Sequence, residues 1–474
     1  MVRYLKVDFI SFRRNLFRRK FYNTIKNKTY STQPQYSYLS PNLNYKYFVT
    51  NSEKISQNII NRNLKDVNIS LVCSLYENYR NIITESNSLR SKHNELSKSN
   101  NNLSLNESGS KTILLLEAKK LKQQIQQKES KLLEIEKELL KEALKIPNDT
   151  HFNTPIGNEE NAKLIKQIGE KIIPTKDLSL KDHLTICKNL NLVNFDQASN
   201  VTGTSWYYLM NEGALFELAL IQYGIEKAIK KGFTLIITPD VIKSEFSHAC
   251  GFQPRDNDEV SQNYFISNET SQNLVLSATA EIPLAGLYSN KILSHKELPI
   301  KLVGFGRAFR SEAGARGQDT KGLYRVHQFS KVELFTITKN DQSDKMFEEI
   351  IELQEEIYKD LGLCFRIMDM PTHELGASTY RKYDMEAWMP GRGKWGEISS
   401  ASNCTDYQSR RLNIRYKSPP SNTTEFVHTL NGTAVAIPRL IIAILENFQK
   451  DDGKSVVIPK VLRKWMGDKD IINL

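Results

Sequence analysis

Cysteine is scarce in this sequence, with five in 474 residues. Cys73, Cys187, Cys250, Cys364 and Cys404 are scattered, and no two of them form a C-x-x-C pair. That spacing excludes a disulfide-framed scaffold and a cysteine-built structural zinc site, and it fits a reducing compartment. Long apolar runs are also missing. No stretch of eighteen or more is unbroken, so no membrane span is expected.

Acid is nearly absent from the first thirty residues. Asp8 stands alone against Arg3, Lys6, Arg13, Arg14, Arg18, Arg19, Lys20, Lys26 and Lys28, with Leu5, Phe9, Phe12, Phe17 and other apolar residues interleaved. An Arg-rich, acid-poor, amphipathic start has the composition of a mitochondrial transit peptide. Residues 1–30 are expected to be one, and the mature chain to work in the mitochondrial matrix. A secretory signal is excluded because Arg13-Arg14 interrupts its apolar core. The competing reading is a basic arm that binds RNA.

What is present is a hydrophobic content of 39%, enough for a sizeable core and two to three domains. The net charge of +11 favours nucleic acid or an anionic surface as a partner. Residues 50–150 carry two heptad-like stretches. Val72, Leu75, Tyr79, Ile82, Ser86, Leu89, His93 and Leu96 alternate spacings of three and four, as do Leu114, Ala118, Leu121, Ile125, Lys128, Leu132, Ile135 and Leu139. Such a seam predicts two coiled-coil helices, joined through the Asn/Ser/Gly-rich stretch Ser97–Ser110 into an antiparallel arm. A dimerisation or spacer coil is the alternative. Ile146-Pro147 stops the second helix.

The rest of the chain, residues 155–474, centres on Leu302–Phe335, which reads as strand, polar loop, strand. Alternation places Gly304, Gly306, Ala308 and Arg310 on one face of the first strand. It places Arg325, His327, Phe329, Lys331 and Glu333 together on the second. If the faces coincide, small residues leave a hollow lined by a guanidinium, an aromatic plate and a carboxylate. The alternative is an exposed hairpin with a solvated charged face. Upstream, a helix Asn211–Lys231 leads into a strand closed by Pro239, and Leu274–Glu281 reads as a strand with Thr279 and Glu281 on one face. Leu178–Leu192 and Ser343–Asp360 read as further helices, and Leu440–Phe448 as an apolar one.

The strings Phe309-Arg310-Ser311-Glu312-Ala313-Gly314 and Gly322-Leu323-Tyr324-Arg325-Val326-His327-Gln328-Phe329-Ser330-Lys331-Val332-Glu333 resemble motif 2 of the seryl-tRNA synthetase family of class II. Lys394–Arg411 and Leu430–Arg439 are similar to later elements of that family, and His373–Gly376 with Tyr380–Gly393 resemble its fungal members. Pro438 stands where other members often carry glycine. The resemblance implies an α+β fold: a class II antiparallel sheet flanked by helices, preceded by a coiled-coil arm that binds tRNA(Ser). It implies a homodimer and the ATP-dependent attachment of L-serine to tRNA(Ser), with ATP and Mg²⁺.

Roles follow by resemblance. Arg310 bridges the α-phosphate and the serine carboxylate; Phe329 and Arg439 hold adenine between them. Ser311, Glu312 and the Val326-His327-Gln328 backbone fix ATP, with Ile398 and Ser399. Glu397 and Ser400 hold the metal. Thr279, Ala280 and Glu281 take the serine ammonium, while Glu333, Asn431 and Thr433 surround its hydroxyl. A bound triphosphate explains Arg439 near a helix N-terminus, where the dipole disfavours a cation. Two alternatives are kept: a class II synthetase for another amino acid, and a non-catalytic paralogue that binds RNA.

Overall fold

The computed structural model describes residues 38–102, 108–173, 180–252, 262–267, 273–312, 322–418, 423–450 and 453–473. The basic start and most of the Gly-rich loop after Glu312 lie outside the described residues. From Leu39 onward the chain forms one compact unit.

Two long helices, α3 (Ile69–Asn102) and α4 (Ser108–Ala143), pack along each other. Several positions of the expected seam are buried: Val72, Leu75, Ile82 and Ser86 on α3, and Ile135 and Leu139 on α4, with Ile69 and Ala143 buried outside it. Arg90 reaches Glu129 at 2.6 Å, and Lys128 pairs with Glu85. The connection between them is narrower than the composition suggests. Ser97, inside the stretch read as a turn, bonds back to the His93 carbonyl at 2.8 Å. A serine that satisfies itself within the preceding turn does not end a helix. Two short helices, α1 (Tyr45–Thr50) and α2 (Ser52–Asn61), fold onto the base of the pair. There Leu43, Ile55, Ile59, Val72, Leu139 and Ile146 share one apolar cluster. Buried Arg411 donates to the carbonyls of Leu144 and Ile146 and so ties that base to the remainder of the chain.

The remainder is built on an eight-stranded sheet. Its strands are β1 (Lys163–Ile168), β2 (Thr234–Ile237), β3 (Ile300–Phe309), β4 (Gln328–Thr338), β5 (Phe365–Asp369), β6 (Arg381–Met389), β7 (Lys394–Asn403) and β8 (His428–Ala436), in the order β1-β5-β6-β7-β8-β4-β3-β2. Every neighbouring pair is antiparallel except β2 with β3, which run parallel. Among its helices are α5 (His183–Asn189), α6 (Asn211–Lys230), α7 (Glu281–Gly286), α8 (Ser343–Asp360) and α9 (Ile437–Asn447). The stretch read as a helix over Leu178–Leu192 is therefore only α5 within its described part.

Central strand β4 shows how the sheet divides its labour. Val332 and Leu334 point into the main core, shared with α6, α8 and α9. Phe335 and Ile337 enter a second core on the opposite face. Glu333 lies on that second face, because residues two apart share a side. One sheet face is therefore covered by long helices, while the other carries the second core beside the polar groups that include Glu333.

Candidate active site

The register between β3 and β4 pairs Gly304 with Glu333, Gly306 with Lys331 and Ala308 with Phe329. The two faces read from alternation coincide. The space above the glycines is not open, however. A Cβ at Gly304 would stand 2.7 Å from the Leu284 side chain, and one at Gly306 would stand 2.9 Å from the Thr238 hydroxyl. The small residues admit protein segments to the sheet, and the cavity opens further along.

That cavity holds about 440 Å³. Strand β4 supplies Phe329 and Lys331, β7 supplies Glu397, Ile398, Ser399 and Ser400, and β8 supplies Thr433. Arg310 and Glu312 follow β3, and Leu323 to Val326 precede β4. The wall also includes Phe252, Glu374, Gly376, Thr379 and Lys382, with Ser402, Ala436, Pro438 and Arg439. The Arg310 guanidinium lies 5.4 Å from the Phe329 ring and 6.0 Å from that of Phe252. Two aromatic faces therefore hold a cation at the cavity edge.

Arg439 stands in the first turn of α9, with Pro438 at a position whose missing N–H costs the helix nothing. Its guanidinium meets the Glu397 carboxylate at 3.1 Å and lies 4.7 Å from the Tyr324 ring. Glu397 thus offsets the unfavourable helix dipole within the protein itself. Burial opposes charge on Glu397, but Arg439, Lys382 and Arg310 overrule it and hold the carboxyl well below its ordinary range. The cavity gathers Arg310, Arg325, Lys331, Lys382 and Arg439 around an ionised carboxylate. It suits a polyanion with a flat apolar portion.

At one end lies a buried polar cluster. Glu333 Oε2 accepts from the Thr433 hydroxyl at 3.1 Å and from Lys331 Nζ at 2.7 Å. Glu281 Oε1 accepts from Gln408 Nε2 at 2.6 Å and from Asn431 Nδ2 at 2.9 Å. Burial, then the charge of Glu333, push the Glu281 carboxyl up to about 7, against the pull of Gln408, Lys331 and Arg310. Thr433 and Lys331 connect this cluster to the cavity.

Some expectations need correction. Thr279 and Glu281 are not on a strand. The strand ends at Leu276, and Glu281 opens α7 with its N–H on the Thr279 hydroxyl at 3.3 Å. Likewise β4 begins at Gln328, so Arg325 and His327 precede it. Val326 lines the cavity, but His327 spends its N–H on the Ser205 carbonyl and its carbonyl on the Arg310 N–H. Gln328 faces a different hollow, beside Trp206 and Arg307. Ser311 donates its N–H to the Gln262 carbonyl, and the Ser399 hydroxyl turns away to the Thr433 carbonyl. Ala280 packs toward Gly304. Cys404 is fully buried, and burial pushes its thiol up, so it is no nucleophile.

Comparison with known proteins bears on these groups. Residues 43–150 match the family described as the seryl-tRNA synthetase N-terminal domain, and residues 264–448 match the tRNA synthetase class II core domain (G, H, P, S and T). A serine–tRNA ligase of Treponema denticola is 42% identical over 90% of this chain and 99% of its own. This chain belongs to the seryl-tRNA synthetase family. A mitochondrial serine–tRNA ligase of Saccharomyces cerevisiae is 46% identical over 75% of this chain and 78% of its own. The crystal structure of the Pyrococcus horikoshii seryl-tRNA synthetase complexed with ATP superposes with a TM-score of 0.81, at 34% identity, covering 91% of this chain and 99% of that one. A Giardia lamblia prolyl-tRNA synthetase, at 18% identity and a TM-score of 0.50, shares only the fold.

Several residues of this seryl-tRNA synthetase family member escape sequence reading as parts of the site. Lys331 has a signal, since it shares a strand face with Phe329 and Glu333. Gln408, Phe252 and Thr379 have none. A further group sits behind the cavity. Fully buried Glu446 accepts the N–H of His183 and the N–H of Arg392, each at 3.1 Å. His183 Nε2 accepts the Leu323 N–H at 3.3 Å, and its Nδ1 lies 3.4 Å from Glu446. A Cβ at Gly322 would stand 2.2 Å from that ring, so only glycine fits there. Arg392 in turn lies 4.0 Å from the Tyr324 ring. Glu446 therefore anchors from behind both Arg392, which lies over the Tyr324 ring, and His183, which holds the N–H of the neighbouring Leu323. Glu446→Ala should cost about 3 kcal/mol of stability in urea unfolding, because the backbone N–H groups of His183 and Arg392 lose their buried acceptor. Glu446→Gln, which keeps an acceptor, should cost clearly less; equal losses would refute the role.

Proposed function

We propose that this chain is a mitochondrial serine–tRNA ligase that activates L-serine with ATP and transfers the seryl group to the 3′ end of tRNA(Ser). The observation that carries the reading is the Thr433–Glu333–Lys331 cluster beside a cationic cavity of nucleotide size. Thr433 and Lys331 both bond to Oε2 of Glu333, which directs the carboxylate at a hydroxyl-sized substituent. A site built to bond a hydroxyl rejects alanine because its own polar groups are then left unpaired.

In the first step an oxygen of the serine carboxylate attacks the α-phosphorus of ATP, and the bond to pyrophosphate breaks. In the second, a terminal ribose hydroxyl of the tRNA attacks the seryl carbonyl and AMP leaves. The protein's task is positioning and charge stabilisation. Arg310 neutralises the developing charge at the α-phosphorus and orients the serine carboxylate. Phe329 and Arg439 bracket adenine, with Glu312 and Val326 at its edge. Glu281, Asn431 and Thr279 receive the ammonium. Glu397 and Ser400 are hard oxygen donors on one strand at the cavity wall, a set too small to cage an ion alone but fitted to a Mg²⁺ shared with phosphates. When bound, the ion supplies positive charge against the phosphates.

The basic start supports mitochondrial targeting, as does the name of the yeast relative, though bacterial relatives match comparably well. Residues 50–150 are proposed to bind the tRNA by shape and backbone as a coiled-coil arm. Exposed Leu215 and Leu218 on α6 and Ile237 on β2 support a homodimer through that edge.

ATP–pyrophosphate exchange tests the reading. Exchange should depend on serine and fail with threonine, alanine or no amino acid; exchange with another amino acid alone would move the assignment to a different class II enzyme. A pH series adds a second check. The Glu281 carboxyl, raised to about 7, is largely protonated below that pH, and an ammonium ligand needs it ionised. The KM for serine should therefore fall as pH rises from 6 to 7.5 and level off above. Stability moves the other way with pH. The folded state binds the extra proton, so this group's contribution is full below the ordinary carboxylate range and lost as pH climbs to 7. A Glu281→Gln variant that keeps the pH dependence would sink the assignment.

A further inference from the structure

One wall of the cavity is a turn of four residues, Gly376–Thr379, closed by the Thr379 N–H on the Gly376 carbonyl at 3.0 Å. Gly376 and Thr379 face the cavity. Each of the four carbonyls of this turn is bonded from behind by the N-terminal part of the chain. Arg62 Nη1 donates to Gly376 O at 3.0 Å, and Nη2 donates to Thr379 O at 2.8 Å. The Asn148 N–H takes Ala377 O at 2.8 Å, and Asn148 Nδ2 takes Ser378 O at 2.9 Å.

Arg62 is itself held in place. It ends α2 and is only 2% exposed. Its Nε donates to the Thr150 hydroxyl at 2.9 Å, and Nη2 also donates to the Asp149 carbonyl at 2.9 Å. One planar guanidinium therefore grips both ends of the turn and the chain that leaves the arm. A lysine cannot copy this, since its single ammonium offers no fixed fork. The turn stands at the end of the cavity where serine is proposed to sit. Tyr380 N donates to Asn403 O, and Cys404, next in sequence, accepts from Asn431 Nδ2 at 3.6 Å. None of the bonds that hold the turn involves Phe329 or Arg439.

We infer that Arg62, outside the catalytic core, is a positioning residue for the serine end of the site: it sets the Gly376–Thr379 wall from the base of the arm. The inference rests on the functional reading given above. The substrate-facing surface is then only as well placed as the junction between arm and core, although no atom of Arg62 reaches the cavity.

Serine-dependent ATP–pyrophosphate exchange with the full chain tests this. Arg62→Met should lower kcat/KM for serine on the order of 10²-fold, the scale expected of a misplaced wall, while the KM for ATP stays within about threefold. Asn148→Ala should shift serine kinetics in the same direction, and Arg62→Lys should recover only part of the loss. Lys54→Met, which removes the exposed ion pair with Asp149 at the same junction, should leave both KM values unchanged. A folded Arg62→Met with native serine kinetics overturns the inference, as does an equal loss in Lys54→Met. Should Arg62→Met fail to fold, native serine kinetics in both Asn148→Ala and Arg62→Lys overturn it. A wild-type chain with no serine-dependent exchange would refute the functional reading instead.

Discussion

Replacing Glu333 by alanine should lower kcat/KM for serine roughly 10³- to 10⁴-fold while leaving ATP binding close to native. Three effects act together. The hydroxyl of serine loses its proposed acceptor. Thr433 loses the oxygen that orients it, at 3.1 Å. Lys331, only 7% exposed, is left as a buried charge without the carboxylate 2.7 Å away. The last effect also threatens stability, so the variant to compare is Glu333→Gln. Glutamine keeps a bond to Thr433 and to a substrate hydroxyl but does not neutralise Lys331. Its loss should be intermediate, and its discrimination against alanine should narrow. Exchange kinetics with serine and alanine, alongside calorimetric titration of ATP, separate these outcomes. A serine KM unchanged in Glu333→Ala would remove Glu333 from the hydroxyl pocket.

Arg310 carries the second large expectation. Arg310→Ala should slow adenylate formation on the order of 10³-fold, because a preorganised cation at the developing phosphate charge is lost. Lysine should restore little of it. The guanidinium is flanked by Phe329 and Phe252 and anchored by Nε on the Ala278 carbonyl at 3.4 Å. Those contacts use its planarity, which an ammonium lacks. Single-turnover measurement of adenylate formation, with serine and ATP both saturating, reads the chemical step. A Lys variant within a few-fold of native would mean that charge alone suffices and that the aromatic flanks are incidental.

The site is partly legible in the sequence because strands repeat every two residues. Alternation alone places Phe329, Lys331 and Glu333 on one face of β4, opposite the small residues of β3, and the register agrees. Alternation misleads at Thr279 and Glu281. The apolar run Leu274–Leu276 reads as strand, but the six-residue helix after it is too short to show a period of its own. The arm's seam is clear for the opposite reason, since its helices run to 34 and 36 residues. What the sequence hides are bonds between distant positions. Gln408 stands 127 places from Glu281, and Arg62 stands 317 places from Thr379. No local pattern reports such a pair, because only the completed topology brings its members together.

The length of the arm gives its base a mechanical meaning. A helix of 36 residues extends about 54 Å at about 1.5 Å per residue. Over that length a swing of about one degree at the base moves the far end by about an ångström. The arm is thus a calliper whose calibration lies in its pivot, where Arg62, Asn148 and Arg411 bolt it to the core. Loosening that pivot would displace the far end of the arm, proposed to meet tRNA, together with the Gly376–Thr379 wall at the near end, so that on the proposed reading faults in holding an RNA and in seating an amino acid would arise from one mechanical cause.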